Sequence, residues 1–134
     1  MSRFTQTITA RAEDIDELGH VNNAVWVAWI QQVAIAHWDA VAAPEHKARY
    51  IWVVTRHEID YRGNVREGET VTAETWVEEP PRGARFNRHM RFIGADGKVK
   101  VEAVTTWAII DREAERIVRV PKEVAAPFLA AADG

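Results

Sequence analysis

The chain has no cysteine, and its one serine is Ser2. The first absence removes disulfides, thiolate metal sites and a cysteine nucleophile together. The second leaves a Ser-His-Asp triad with a single candidate, at a terminus. The five histidines include no His-x-Glu and no His-x-x-x-His spacing. A metal site is therefore not expected. No glycine-rich phosphate loop or dinucleotide fingerprint occurs either, so nucleotide hydrolysis and nicotinamide chemistry lack support and no cofactor is expected. Also missing is an uncharged apolar run of about 18 residues that could cross a membrane. The opening Met-Ser-Arg-Phe-Thr-Gln carries no apolar signal segment, which favours the cytoplasm. Excess basic charge is absent as well: the net charge of −3 argues against general nucleic-acid binding.

What is present suits one domain. A length of 134 residues at 47% hydrophobic composition can build a sizeable core but not two ordinary ones, so residues 1–134 are expected to form a single domain. Six tryptophans are many for this length, and such rings end up in cores or at subunit contacts. Oligomerisation is expected on that ground.

The most informative stretch is Asp14-Ile15-Asp16-Glu17-Leu18-Gly19-His20-Val21-Asn22-Asn23. It sets carboxylates, a glycine, a histidine and two amides directly ahead of a run, Ala24 to Ala42, that contains neither Gly nor Pro. That run predicts a long helix whose apolar residues cover most of its circumference, as in a helix wrapped by other structure. Asn22 or Asn23 is a suitable N-cap, and the N–H groups just inside the first turn would polarise any carbonyl oxygen placed before them. With Asp16 delivered by the turn at Gly19, the stretch supplies a base or nucleophile beside an oxyanion site.

The remaining segments alternate as strands do. Phe4 to Ala10, Tyr50 to Arg62, Glu69 to Val77, Arg85 to Ile93 and Lys98 to Ile110 are the candidates, with a short strand near Arg116 to Val120. Residues 43–49 form a connection, and a last helical stretch starts at Pro121, its length limited by Pro127. Short turns between strands imply a mostly antiparallel sheet curled around the helix, an α+β layout. Parity along the second strand puts His57 on the covered face. Arg88 shares parity with Phe86, Met90 and Phe92, so its charge points to the apolar side and wants an acid or an anionic ligand.

Asp-x-Asp-x-x-Gly-His-Val-Asn-Asn before a hydrophobic helix resembles the signature of the hotdog-fold acyl-CoA thioesterases, the group that includes 4-hydroxybenzoyl-CoA thioesterase. The likeness continues through Glu58-Ile59-Asp60-Tyr61, Asp96-Gly97, Ala103-Val104-Thr105-Thr106-Trp107 and Val118-Arg119-Val120-Pro121. One departure is Asn64, with Gly68-Glu69, where these families often carry Pro and Gly-Asp.

The resemblance implies a hotdog fold and hydrolysis of an acyl-CoA to the free acid and CoA. It implies Asp16 as general base or nucleophile, the Asn23 N–H as oxyanion donor and His20 as a positioning or proton-handling group. Gly19, Asn22 and His57 are candidate substrate contacts, and Arg82, Arg85, Arg88, Arg116 and Arg119 are the candidates for the phosphates of coenzyme A. A homodimer or a dimer of dimers is implied, with the site between subunits.

Plainer roles compete for several of these residues. Asp14 reads better as a turn or capping residue than as a catalyst, and Asn22 could simply cap the helix. Two other functions stay open: hydrolysis of an acyl group on acyl carrier protein, and a binding module that holds a thioester without cleaving it. A hydratase of the same broad fold fits less well, because its Asp and His pairing after a helix is not seen.

Overall fold

The computed structural model describes residues 2–129. Strand β1 (Arg3–Thr9) leads through a single 3-10 turn (Ala12–Asp14) to helix α1 (Asn23–Val41) and short helix α2 (Pro44–Arg49). Strands β2 (Tyr50–Tyr61), β3 (Thr70–Trp76), β4 (Arg85–Gly94), β5 (Val99–Asp111) and β6 (Arg116–Ile117) follow, then helix α3 (Lys122–Leu129). The strands make one antiparallel sheet in the order β1-β3-β4-β5-β2, with β6 on the end of β5. This is the α+β arrangement of a curled sheet and one long helix that the segment pattern predicts.

Alternation explains which side of the sheet faces α1. Along β4, Phe86, Arg88, Met90 and Phe92 are buried while the residues between them are more open. Their partners on β5 include Thr105, Ala103 and Val101, all buried on the same side. Helix α1 meets this face with Trp26, Trp29, Ile30, Val33, Ala34 and His37, a stripe at steps of three and four. Each of the large apolar members contributes roughly 1.5–3 kcal/mol by leaving water.

That stripe is narrower than the all-round apolar sequence of α1 predicts. Ile35 is 52% exposed and Val27 and Trp38 are only half-buried, because the sheet of one chain covers one side of the helix. The connection read over residues 43–49 contains a helix, α2, with Pro44 in its first turn. Pro127 does not end the last helix, which continues through it to Leu129.

A further device is hidden in β2. Val54 lies opposite Trp107 and Arg56 opposite Thr106, so Thr55 is an extra residue, a bulge. Strict alternation would set Trp52 and Val54 against His57 and Ile59. With the bulge, Trp52, Val54 and Ile59 all pack on the core beneath α1. A second core gathers Tyr50, Phe86, Ile109, Val124 and Phe128 where α3 closes the other end of the sheet.

Candidate active site

The acidic stretch folds into a closed loop against the start of α1. Asp14 ties the loop at two points: its Oδ2 accepts from the Arg11 N–H at 2.9 Å, and its carbonyl accepts from the Asn22 N–H at 2.9 Å. Ile15 and Val21 pair as a bridge. Inside that bridge the Asp16 N–H donates to the His20 carbonyl at 2.8 Å and the Gly19 N–H donates to the Asp16 carbonyl at 3.0 Å. The turn needs φ of +79° at Gly19, a value that glycine adopts without a Cβ clash.

These bonds fix the Asp16 carboxylate through one oxygen. Oδ1 accepts from the Leu18 N–H at 2.9 Å and from the His20 N–H at 3.3 Å. Oδ2 has no partner among the described residues. His20 contributes to the loop through its backbone, and its half-buried ring makes no hydrogen bond among them.

The helix start resolves the choice of cap. Asn22 is the N-cap, with its side chain accepting from the Ala24 N–H at 2.8 Å, and Asn23 is the first helical residue. The Asn23 N–H finds no partner among the described residues, so the positive end of α1 offers a free donor. Because the Asn22–Asp14 bond and the Ile15–Val21 bridge hold the loop to the helix, a carboxylate oxygen and this N–H belong to one rigid unit.

Two contributors went unassigned in the sequence. Asn64 accepts from the N–H groups of Val21 at 3.0 Å and Val65 at 2.8 Å, and donates to the Val21 carbonyl at 3.3 Å. It clamps the loop to the chain after β2. The signal was its place where the resembling families often have Pro, since a proline side chain could make none of these bonds. Tyr61 places its hydroxyl 3.5 Å from the Asn23 carbonyl, at the same helix start.

The other candidates stand elsewhere. His57 pairs with Thr105, and its Nδ1 lies 2.9 Å from the Thr105 hydroxyl. Its Nε2 is buried without a partner among the described residues, and burial lowers its pKa. It sits four residues from Tyr61 along β2, about 13 Å at the usual strand rise. Arg82 and Arg85 join across a bridge at the start of β4, Arg116 lies in β6, and Arg119 precedes Val120, whose N–H donates to the Gly83 carbonyl. All four are exposed. The start of β4 pairs with Ala108 and the Asp16 end of the sheet with Val101, seven residues away along β5 or about 24 Å. Within one chain the arginines and Asp16 occupy opposite ends.

Arg88 does point inward, as parity predicts, and is 8% exposed. Its Nη1 donates to His37 Nδ1 at 2.8 Å and to the Thr75 hydroxyl at 3.0 Å. With Nδ1 accepting, the His37 proton sits on Nε2, which lies 3.3 Å from the Ser2 hydroxyl. Burial first, then the Arg88 charge, pushes the His37 pKa down to about 3. A serine–histidine contact is thus present, yet its third member is a cation, so it cannot work as a triad. Burial also lowers the Arg88 pKa to about 10, which leaves the guanidinium charged at neutral pH.

Known proteins resemble both the sequence and the fold. The family model described as "Thioesterase-like superfamily" matches residues 10–128. A chloroplastic acyl-acyl-carrier-protein hydrolase of Cuphea viscosissima is 27% identical over 78 residues, 58% of this chain and 19% of that protein. The chain spans about a fifth to a third of the length of the curated relatives it matches. Among solved structures, a Staphylococcus aureus protein in complex with CoA superposes with a TM-score of 0.83 at 16% identity, covering 94% of this chain and 81% of that one. An acyl-ACP thioesterase from Bacteroides thetaiotaomicron gives 0.83 at 20% identity over 96% of this chain and 54% of that one. The shared fold is the hotdog.

Proposed function

This chain belongs to the thioesterase-like superfamily, and from that membership we propose that it hydrolyses an acyl-CoA thioester to the free acid and CoA. The observation that carries the proposal is the Asp16 loop: a carboxylate held by Oδ1 and fastened to a helix start, with Oδ2 and the first helical N–H both without a partner among the described residues.

A thioester suits so small a set of groups, because its carbonyl is activated and its thiolate leaves without a strong acid. Asp16 Oδ2 takes a proton from water as the water oxygen adds to the carbonyl carbon. The oxygen that becomes negative is stabilised by the Asn23 N–H and the α1 N-terminus. Collapse of the adduct breaks the C–S bond, and the thiolate leaves as CoA. In the other route Asp16 attacks the carbonyl carbon, the C–S bond breaks with CoA thiolate leaving to give a mixed anhydride, and water cleaves that anhydride to the free acid and the Asp16 carboxylate. His20 serves as a positioning or proton-handling group beside either step. Gly19 shapes the loop and Asn22 the helix start.

The phosphates of CoA fall to the arginines. Arg85 lies about 24 Å along the sheet from the Asp16 end and Arg116, opposite Asp111, about 34 Å, with Arg82 and Arg119 at that same far end, which favours a site shared between subunits. A homodimer or dimer of dimers is part of the proposal, supported by the exposed Ile35 on α1 and the open outer edge of β2. A second reading, hydrolysis of acyl-ACP, is favoured by the Cuphea viscosissima relative and by the Bacteroides thetaiotaomicron fold match.

Thiol release from short, long and aromatic acyl-CoAs, beside matched acyl-ACPs, tests both. Turnover of acyl-CoAs supports the first reading. Turnover confined to acyl-ACPs supports the second, and binding of either without turnover would leave only a thioester-holding module.

A further inference from the structure

Away from the Asp16 loop, a cleft of about 570 Å³ opens between the C-terminal half of α1, the start of β2 and α3, and its rim includes Ile35 and Ile51 on the face proposed above for subunit contact, so a partner subunit would border its mouth. Its volume is that of a small-molecule site. Trp38, Trp52, Phe86, Trp107 and Phe128 supply aromatic wall, and Arg88 lies among them. A guanidinium that is 8% exposed inside an aromatic cleft is costly unless its charge is matched. Arg88 has no acidic partner among the described residues.

The surroundings of Arg88 orient it rather than neutralise it. Nη1 is engaged by His37 and Thr75, and Thr75 is itself fixed by donating to the His89 carbonyl at 2.8 Å. The guanidinium carbon lies 5.4 Å from the Phe128 ring centre. Nε and Nη2 keep no partner among the described residues, and together they form the edge that takes a carboxylate through two parallel hydrogen bonds.

We infer that this cleft binds an organic carboxylate with an aromatic or other apolar body, the carboxylate on the Nε–Nη2 edge of Arg88 and the body against the tryptophans. The inference does not rest on thioester hydrolysis. It assigns the buried cation a ligand from the chemistry around it.

The test compares 1-naphthoate with the uncharged, similarly shaped 1-naphthamide, titrated against the tryptophan fluorescence of the intact protein. The acid is expected to bind about tenfold or more tightly than the amide. Arg88→Met is expected to abolish that preference, and Arg56→Met, which removes an exposed cation outside the cleft, to retain it. Circular dichroism establishes that each variant is folded, and if Arg88→Met is not, the acid–amide comparison on the wild type decides alone. Equal binding of acid and amide, no binding of the acid up to about 1 mM, or an undiminished preference in a folded Arg88→Met would overturn the inference.

Discussion

Asn64 fastens the end of the loop that carries Asp16 to the chain after β2. Its side chain meets two N–H groups and one carbonyl of the segments on either side of the Asp16 loop attachment. Asn64→Ala removes three bonds, leaving the Val21 N–H only its bond to the Val65 carbonyl at 3.2 Å, and the expected loss is about 1–3 kcal/mol of stability by denaturant titration, with reduced turnover. An unchanged midpoint would show the clamp to be redundant. At Gly19 the cost is conformational: a Cβ there would meet the Arg66 guanidinium at 3.1 Å and strain a φ of +79°. Gly19→Ala is expected to cost about 1 kcal/mol, read the same way.

His37 sets a pH dependence. Its pKa of about 3 in the fold, against an ordinary 6.5, means that the unfolded chain binds the proton more tightly. Its contribution is complete above about pH 6.5 and is lost progressively as pH falls toward 3. His57, also lowered by burial, adds a loss of the same sign. Asp111, held low chiefly by its bond to Arg49, adds a loss that begins only as the pH falls through the usual carboxylate range. Melting temperature against pH should therefore decline through mild acid, and His37→Asn should flatten that decline. A variant curve parallel to the wild type would contradict the assignment. The inward turn of Arg88 was legible from parity. Its partner was not, because His37 is 51 residues away and on another element.

At the scale of elements, α1 is anchored at its start and along its stripe. Removing the cap with Asn22→Ala is expected to cost about 1 kcal/mol. Ile30, fully buried beneath the sheet, is expected to cost about 2–5 kcal/mol as Ile30→Ala. If thermal unfolding gave the opposite ranking, packing would not be what holds the helix. The long helix and the strands were legible because period and turn chemistry agree over many residues, as with Asp96-Gly97 between β4 and β5. What escaped depends on tertiary context. The Thr55 bulge is visible only against β5, and the run through Pro127 relies on α3 packing Val124 and Phe128 into the second core. Residues 43–49 read as a polar connection, yet Pro44 begins a short helix.

For the whole molecule, the proposed active site sets the Asp16 loop and the α1 N-terminus at one end of the sheet and a cluster of exposed arginines at the other. Light scattering is expected to give the mass of two or four chains; a monomer that remains active would contradict a site shared between subunits. Asp16 stood out in the sequence as part of a motif, whereas an Oδ2 and an Asn23 N–H without partners among the described residues emerge only from the folded loop. The most direct measurement is steady-state thiol release from the best acyl thioester by the wild type and by Asp16→Asn. The account predicts a folded variant whose turnover falls about 100-fold or more. Turnover near the wild-type rate in a folded Asp16→Asn would contradict it.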